Sequence, residues 1–168
     1  LSATPTGAVG SSNAGFIILE AAGSTYFDLS GNGHSVLALL GLVVEVPGTN
    51  TFALPPAPRF YAGGSATVRG FRYQSIGPQF ADRTPTGGTA VSAATVELRQ
   101  RIIGNYGAVA FIDAGQVSAN GVPFSDSWRI GAGVGFRYYT SIGPIRLDVA
   151  VPLNRQPGFA ATSGTRVN

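Results

Sequence analysis

The stretch SWRIGAGVGFRYYTSIGPIRLDVAVPL, residues 127–153, decides how the rest of the chain is read. Its first half alternates with a period of two. Trp128, Ile130, Ala132, Val134, Phe136 and Tyr138 fall on one side, and Arg129, Gly131, Gly133, Gly135 and Arg137 on the other. Successive side chains of a β-strand point to opposite faces, so the pattern predicts a strand with one apolar face and one small or cationic face. The second half repeats it, with Ile145, Leu147, Val149, Val151 and Leu153 set against Arg146, Asp148 and Ala150. Between them, SIGP at 141–144 predicts a tight turn, because glycine and proline set the turn geometry.

The same signal extends upstream. In TVELRQRII, residues 95–103, Val96, Leu98 and Ile102 oppose Glu97, Arg99 and Arg101. Six strands are expected, at about 15–29, 35–46, 89–103, 106–117, 128–142 and 145–154. Short connections (SGNGH at 30–34, IIGNYG at 102–107, SIGP) alternate with a medium one (117–127) and a very long one running to residue 88. Strict alternation of short turns and long loops is the habit of outer-membrane barrels. Each expected strand supplies the ~9–11 residues that a tilted strand needs to cross a bilayer.

Composition agrees. Of 168 residues 44% are hydrophobic and only 11% charged, against about 25% charged in a soluble domain. A soluble β-sandwich with one hydrated face would also alternate, but a polar-lined barrel better explains an unbroken aliphatic face opposite arginines and carboxylates. There is no run of about 18 apolar residues, so no transmembrane helix is expected, and Leu1 to Asn13 lacks the basic start and apolar core of a secretory signal. With no cysteine, disulfide frameworks and thiolate metal sites are excluded. The net charge is +3, and all eleven basic residues are scattered arginines. Nucleic-acid binding, which needs a clustered basic stripe, is not expected. Six strands are fewer than the eight of the smallest single-chain bacterial barrels, and the tail GFAATSGTRVN, 158–168, reads as a loop with no closing strand. The chain therefore reads as part of a larger barrel.

Within the long connection, RFYAGGSATVRGFRYQSIGP at 59–78 resembles the lumenal loop of the BamA/TamA outer-membrane assembly superfamily, the bacterial surface antigen family. Its signature stands here as Val68-Arg69-Gly70-Phe71. A second family motif matches Phe111-Ile112-Asp113-Ala114-Gly115, and GAGVGFRYYTSIGPIRLDVAVPLNR at 131–155 resembles the end of a TamA-type barrel. The wording is closest to TamA-like proteins, with BamA-like ones next. The resemblance runs from about Phe16 to Arg155. It implies an all-β, antiparallel, up-and-down transmembrane barrel fragment, here the C-terminal segment, with loop 47–88 folding into the lumen. POTRA repeats, early strands and the last strand with its terminal aromatic are not matched in this sequence.

The resemblance also implies a role for Arg69. A buried guanidinium must be paired, and its planar fork can engage two carboxylates. Glu97 and Asp113 face inward and match the family's acceptors, so Arg69 is expected to bridge them, with Gly70 allowing the tight loop tip and Phe71 packing it to the wall. Without the resemblance, a solvated loop arginine is the simpler expectation. Arg99, Arg101, Arg129, Arg137, Arg146 and Asp148 are expected to form a secondary lumenal charge network. Arg72 is left undetermined.

No catalytic set can be assembled from one histidine, His34, which reads as a turn residue. The GAGVG run at 131–135 lies inside an alternating strand with no helix after it, so it is not a dinucleotide loop; its glycines are expected to smooth the inner wall under the loop. Trp128 and the Tyr138–Tyr139 pair, near opposite strand ends, suit interfacial aromatic girdles. The implied function is insertion or translocation of other outer-membrane or autotransporter proteins in the Gram-negative outer membrane. It would need no enzyme chemistry, metal, cofactor or nucleotide. The implied partners are outer-membrane lipid, substrate barrels and a periplasm-spanning partner reached through POTRA repeats. A two-partner secretion transporter and a passive porin-like channel remain alternatives at this point.

Overall fold

The computed structural model describes residues 2–8, 14–154 and 164–167, with side chains described over 15–154. Eight antiparallel strands form one sheet whose order follows the sequence. They are β1 (Ser2–Ala8), β2 (Ala14–Asp28), β3 (Ser35–Glu45), β4 (Ala90–Ile103), β5 (Tyr106–Ser118), β6 (Arg129–Thr140), β7 (Gly143–Pro152) and β8 (Gly164–Val167). The six expected strands are β2 to β7. Two flanking strands are additional to that expectation. Ser2–Ala8 pairs with β2, and Gly164–Val167, inside the tail read as a loop, pairs with β7. Each is short and carries no long apolar alternation, so edge pairing rather than a local pattern defines it.

Only one sheet is present among the described residues, so the sandwich alternative fails: nothing covers the aliphatic face. The register lines up apolar rows across that outer face. Phe27, Leu37, Leu98, Ala110, Val134 and Val149 are successive cross-strand partners, and Leu39, Val96, Ile112, Ala132 and Val151 form the next row. Most of these large side chains are exposed, Val134 at 62% and Ile112 at 52% among them. A contiguous apolar surface of this breadth is foreign to a water-soluble monomer and suits a lipid-facing wall. Tyr106 and Tyr138 sit on the same face beside the short turns, their rings 5.0 Å apart. Tyr139, paired with Tyr138 from sequence, instead faces the other way, against Arg101. Period-two alternation dictates that outcome.

The turns at 29–34, 104–105 and 141–142 lie at one end of the sheet. The long connection 46–89 lies at the other end and folds back onto the inner face. Its bridges Phe60↔Gly88, Ala62↔Ile76 and Gln79↔Pro85 tie it into a compact lobe. The core sits where lobe meets wall: Ala62, Val68 and Ile76 pack against Val44, Val91 and Val117, with Phe71 and Phe60 alongside. Val68 is fully buried. Burying one valine stabilises by roughly 1.5–3 kcal/mol, so this contact alone biases the lobe toward the wall.

Candidate functional site

The lobe presents the segment Val68-Arg69-Gly70-Phe71 to the inner faces of β4 to β7. Gly70 has φ +92°, and a Cβ there would lie 2.8 Å from the backbone carbon of Val151. Only glycine tolerates both the left-handed conformation and that approach. Opposite it, a Cβ at Gly131 would run into the carbonyl oxygen of Arg69. The glycines of β6 thus make the floor on which the tip rests, and Gly133 also leaves room for the Phe111 ring.

Arg69 is engaged on every side. Its Nε donates to Asp113 Oδ2 at 2.7 Å and its Nη2 to Asp113 Oδ1 at 2.9 Å, the two-point fork that a carboxylate accepts best. Its backbone N–H donates to the same Oδ2 at 3.0 Å. Nη1 donates to Glu97 Oε2 at 2.9 Å and stands 3.5 Å from Asp148 Oδ2. The guanidinium carbon lies 3.3 Å from the centre of the Phe111 ring, so the cation is also stacked. Asp113 is 1% exposed and takes a fourth hydrogen bond from Thr95 Oγ1 at 2.9 Å. Burial works against the charge on Arg69, but hydrogen bonds and attraction from Asp113 and then Glu97 more than offset it, and its pKa is raised.

The secondary charges divide. Arg99 donates from Nε to Glu97 Oε1 at 2.8 Å, so Glu97 is shared between two arginines. Arg137 is buried and paired with Asp148, donating from Nη1 to Oδ1 and from Nη2 to Oδ2, the latter at 3.2 Å. The result is a continuous chain, Arg99–Glu97–Arg69–Asp148–Arg137, with Asp113 beneath its centre. Arg101 lies outside it, its guanidinium 4.7 Å from the centre of the Tyr139 ring. Arg146 is exposed, opposite Arg137 in register, and makes no ion pair among the described residues. The like charge directly across the ladder pushes it away from the network. Arg129 is in register with Gly115, one same-face step toward the long-loop end from the Asp113–Gly131 pair. Phe111 and Thr95 are additions to the expected site; Phe111 is signalled in the sequence, two residues from Asp113 and so on the same face, whereas Thr95 is its direct cross-strand partner and is found only from the register.

No group of three or more metal-ligating side chains occurs among the described residues. The arrangement pairs fixed charges and holds a loop; it offers no nucleophile next to a base.

A family model, the Omp85 superfamily domain, matches residues 1–167. Among solved structures, the chain is similar to BamA from Haemophilus ducreyi lacking POTRA domains 1–3, with a TM-score of 0.70 and 24% identity. That match covers 91% of this chain and 33% of the other, so the chain spans about a third of its length. At this identity the likeness speaks for the fold, one antiparallel sheet of a barrel wall. Members of the superfamily are non-enzymatic outer-membrane assembly or transport proteins. With the family model matched over the whole sheet and its inward-folded loop, the chain belongs to the Omp85 superfamily.

Proposed function

We propose that this chain is part of a Gram-negative outer-membrane barrel that inserts or translocates other barrel or autotransporter proteins without nucleotide, and that its loop 47–88 is clamped in the lumen by Arg69. Outer-membrane lipid covers the apolar rows. Substrate barrels, and a periplasm-spanning partner reached through POTRA repeats elsewhere in the protein, complete the set of partners. Within the superfamily the wording of the 59–78 loop favours a TamA-like protein acting on autotransporters.

The observation that carries this proposal is the six-group charge network of Arg69, Glu97, Asp113, Asp148, Arg99 and Arg137, centred on one loop arginine. A passive channel needs no buried cation to hold a loop against strands β4, β5 and β7 at once. An assembly device has reason to keep its lumen ordered while part of its wall opens to template incoming strands by edge pairing. The test is Arg69→Ala in the full-length protein, with substrate assembly and single-channel conductance measured side by side. Assembly should fall by at least tenfold while the pore still forms. Undiminished assembly by a folded Arg69→Ala protein would show that the clamp has no part in the activity.

A further inference from the structure

The inner face at the short-turn end carries a second feature. A cavity of about 390 Å³ opens there between the β2–β3 turn and the wall, lined by Asn32, His34, Arg99, Arg101 and Tyr139 among others. Arg99 and Arg101 project from the same face two residues apart, roughly 7 Å along the strand. Tyr139 lies beneath the Arg101 guanidinium, and the Tyr26 ring lies 5.5 Å from that of Arg99. Stacked guanidinium groups keep their N–H edges free for a planar anion. The backbone N–H of Arg101 donates to the His34 carbonyl at 2.7 Å, fixing the turn against the wall.

Among the described residues the charge at this end is unbalanced. Arg99, Arg101, Arg137 and Arg146 face three carboxylates, Asp28, Glu97 and Asp148. All three are committed. Asp28 accepts hydrogen bonds from the amides of Ser30, Gly31 and Gly33 within its own turn. Glu97 is shared by Arg69 and Arg99, and Asp148 is held by Arg137. Arg101 and Arg146 have no carboxylate within ion-pair distance among the described residues.

We propose that the cavity formed by Arg99, Arg101, His34 and Tyr139 is a recognition site for carboxylate side chains of an acidic polypeptide segment, with Arg146 extending it along the wall. The site lies on the inner face, opposite the apolar rows, so a polypeptide entering the lumen reaches it and a bilayer headgroup does not. The choice of polypeptide rests on the translocation function proposed above. The site borders the clamp at Arg99, whose Nε is taken by Glu97; Arg101 is the lining cation that has no ion pair with the acids of the described residues.

The experiment uses the full-length protein in detergent and a fluorescein-labelled hexaglutamate peptide, read by fluorescence anisotropy. Hexaglutamate should bind in preference to hexaglutamine, and the affinity should fall steeply with salt. The double variant Arg101→Gln/Arg146→Gln should weaken binding at least tenfold while leaving the heat-modifiable gel mobility of the folded barrel unchanged. Equal affinity in the double variant and the parent, or equal affinity for hexaglutamine, would overturn the proposal. Displacement of the peptide by inorganic phosphate at concentrations where acetate has no effect would reassign the cavity to phosphate-bearing ligands and equally overturn it. Substrate assembly measured on the same samples separates the two readings, because a protein that assembles substrate but ignores hexaglutamate defeats this site alone.

Discussion

Replacing Arg69 with alanine isolates the energy of the clamp. Asp113, 1% exposed, would lose both guanidinium donors and keep only the Thr95 hydroxyl and the loop amide. Removing one partner of a buried ion pair costs about 3–5 kcal/mol, because the other charge is stranded. Glu97 retains Arg99 and Asp148 retains Arg137, which places the loss near the lower end of that range. About 3 kcal/mol corresponds to roughly a hundredfold shift in the docking equilibrium of the lobe, at 1.4 kcal/mol per tenfold. These 168 residues contain no cysteine, so Val68→Cys gives one reporter within this segment, at a position that is 0% exposed. Labelling of that thiol by a water-soluble maleimide should be slow with Arg69 present and about a hundredfold faster with Arg69→Ala. Arg69→Lys should fall between, since a compact ammonium cannot fork to Asp113 and reach Glu97 together. Identical labelling rates in the Arg69 and Arg69→Ala backgrounds would refute the assignment of Arg69 as the fastener.

In the same Val68→Cys background, Asp113→Asn should speed thiol labelling more than Asp148→Asn does, because Arg69 donates three hydrogen bonds to Asp113 and only approaches Asp148, at 3.5 Å. Gly131→Ala, whose Cβ would meet the Arg69 carbonyl, should lower stability by about 1–3 kcal/mol in a denaturant titration of the refolded barrel. Gly41→Ala, with nothing within 4 Å of its Cβ, serves as the near-neutral control. Val134→Arg, on the outer rows, should cost about 2–4 kcal/mol in lipid vesicles if that face lies at mid-bilayer, whereas Tyr106→Arg at the short-turn end should cost at most about 1; equal costs would contradict the lipid-facing assignment.

The elements that can be read from sequence are those whose information is local. The alternation in 95–103 and 127–153 sets faces and strand limits to within about a residue or two, because a period of two survives without knowing the neighbours. Lateral register is not local, which is why Thr95 beneath Asp113 and Asp148 beside Arg69 emerge only from the pairing of β4, β5, β6 and β7. The approach of Arg69 to Glu97 and Asp113 is legible through a family resemblance, not from spacing, since 28 and 44 residues separate the partners. Treating two adjacent tyrosines as one group misplaces Tyr139, because adjacent strand residues face opposite ways. The flanking strands β1 and β8 escape a local reading because their order comes from edge hydrogen bonds to β2 and β7.

The charge chain runs crosswise to the strands: Glu97 and Arg99 on β4, Asp113 on β5, Arg137 on β6 and Asp148 on β7, all gathered by one arginine from the loop. Sliding any of these strands by a residue would turn its acid or base through the sheet and break the tie. These four strands are therefore locked in register as a stiff panel. On β2, by contrast, every described side chain from Glu20 to Asp28 is exposed, and none of them forms an ion pair with the chain; only the Tyr26 ring approaches it, at Arg99. Within this segment, mechanical yielding when the wall is pulled or bent falls to the β2 side.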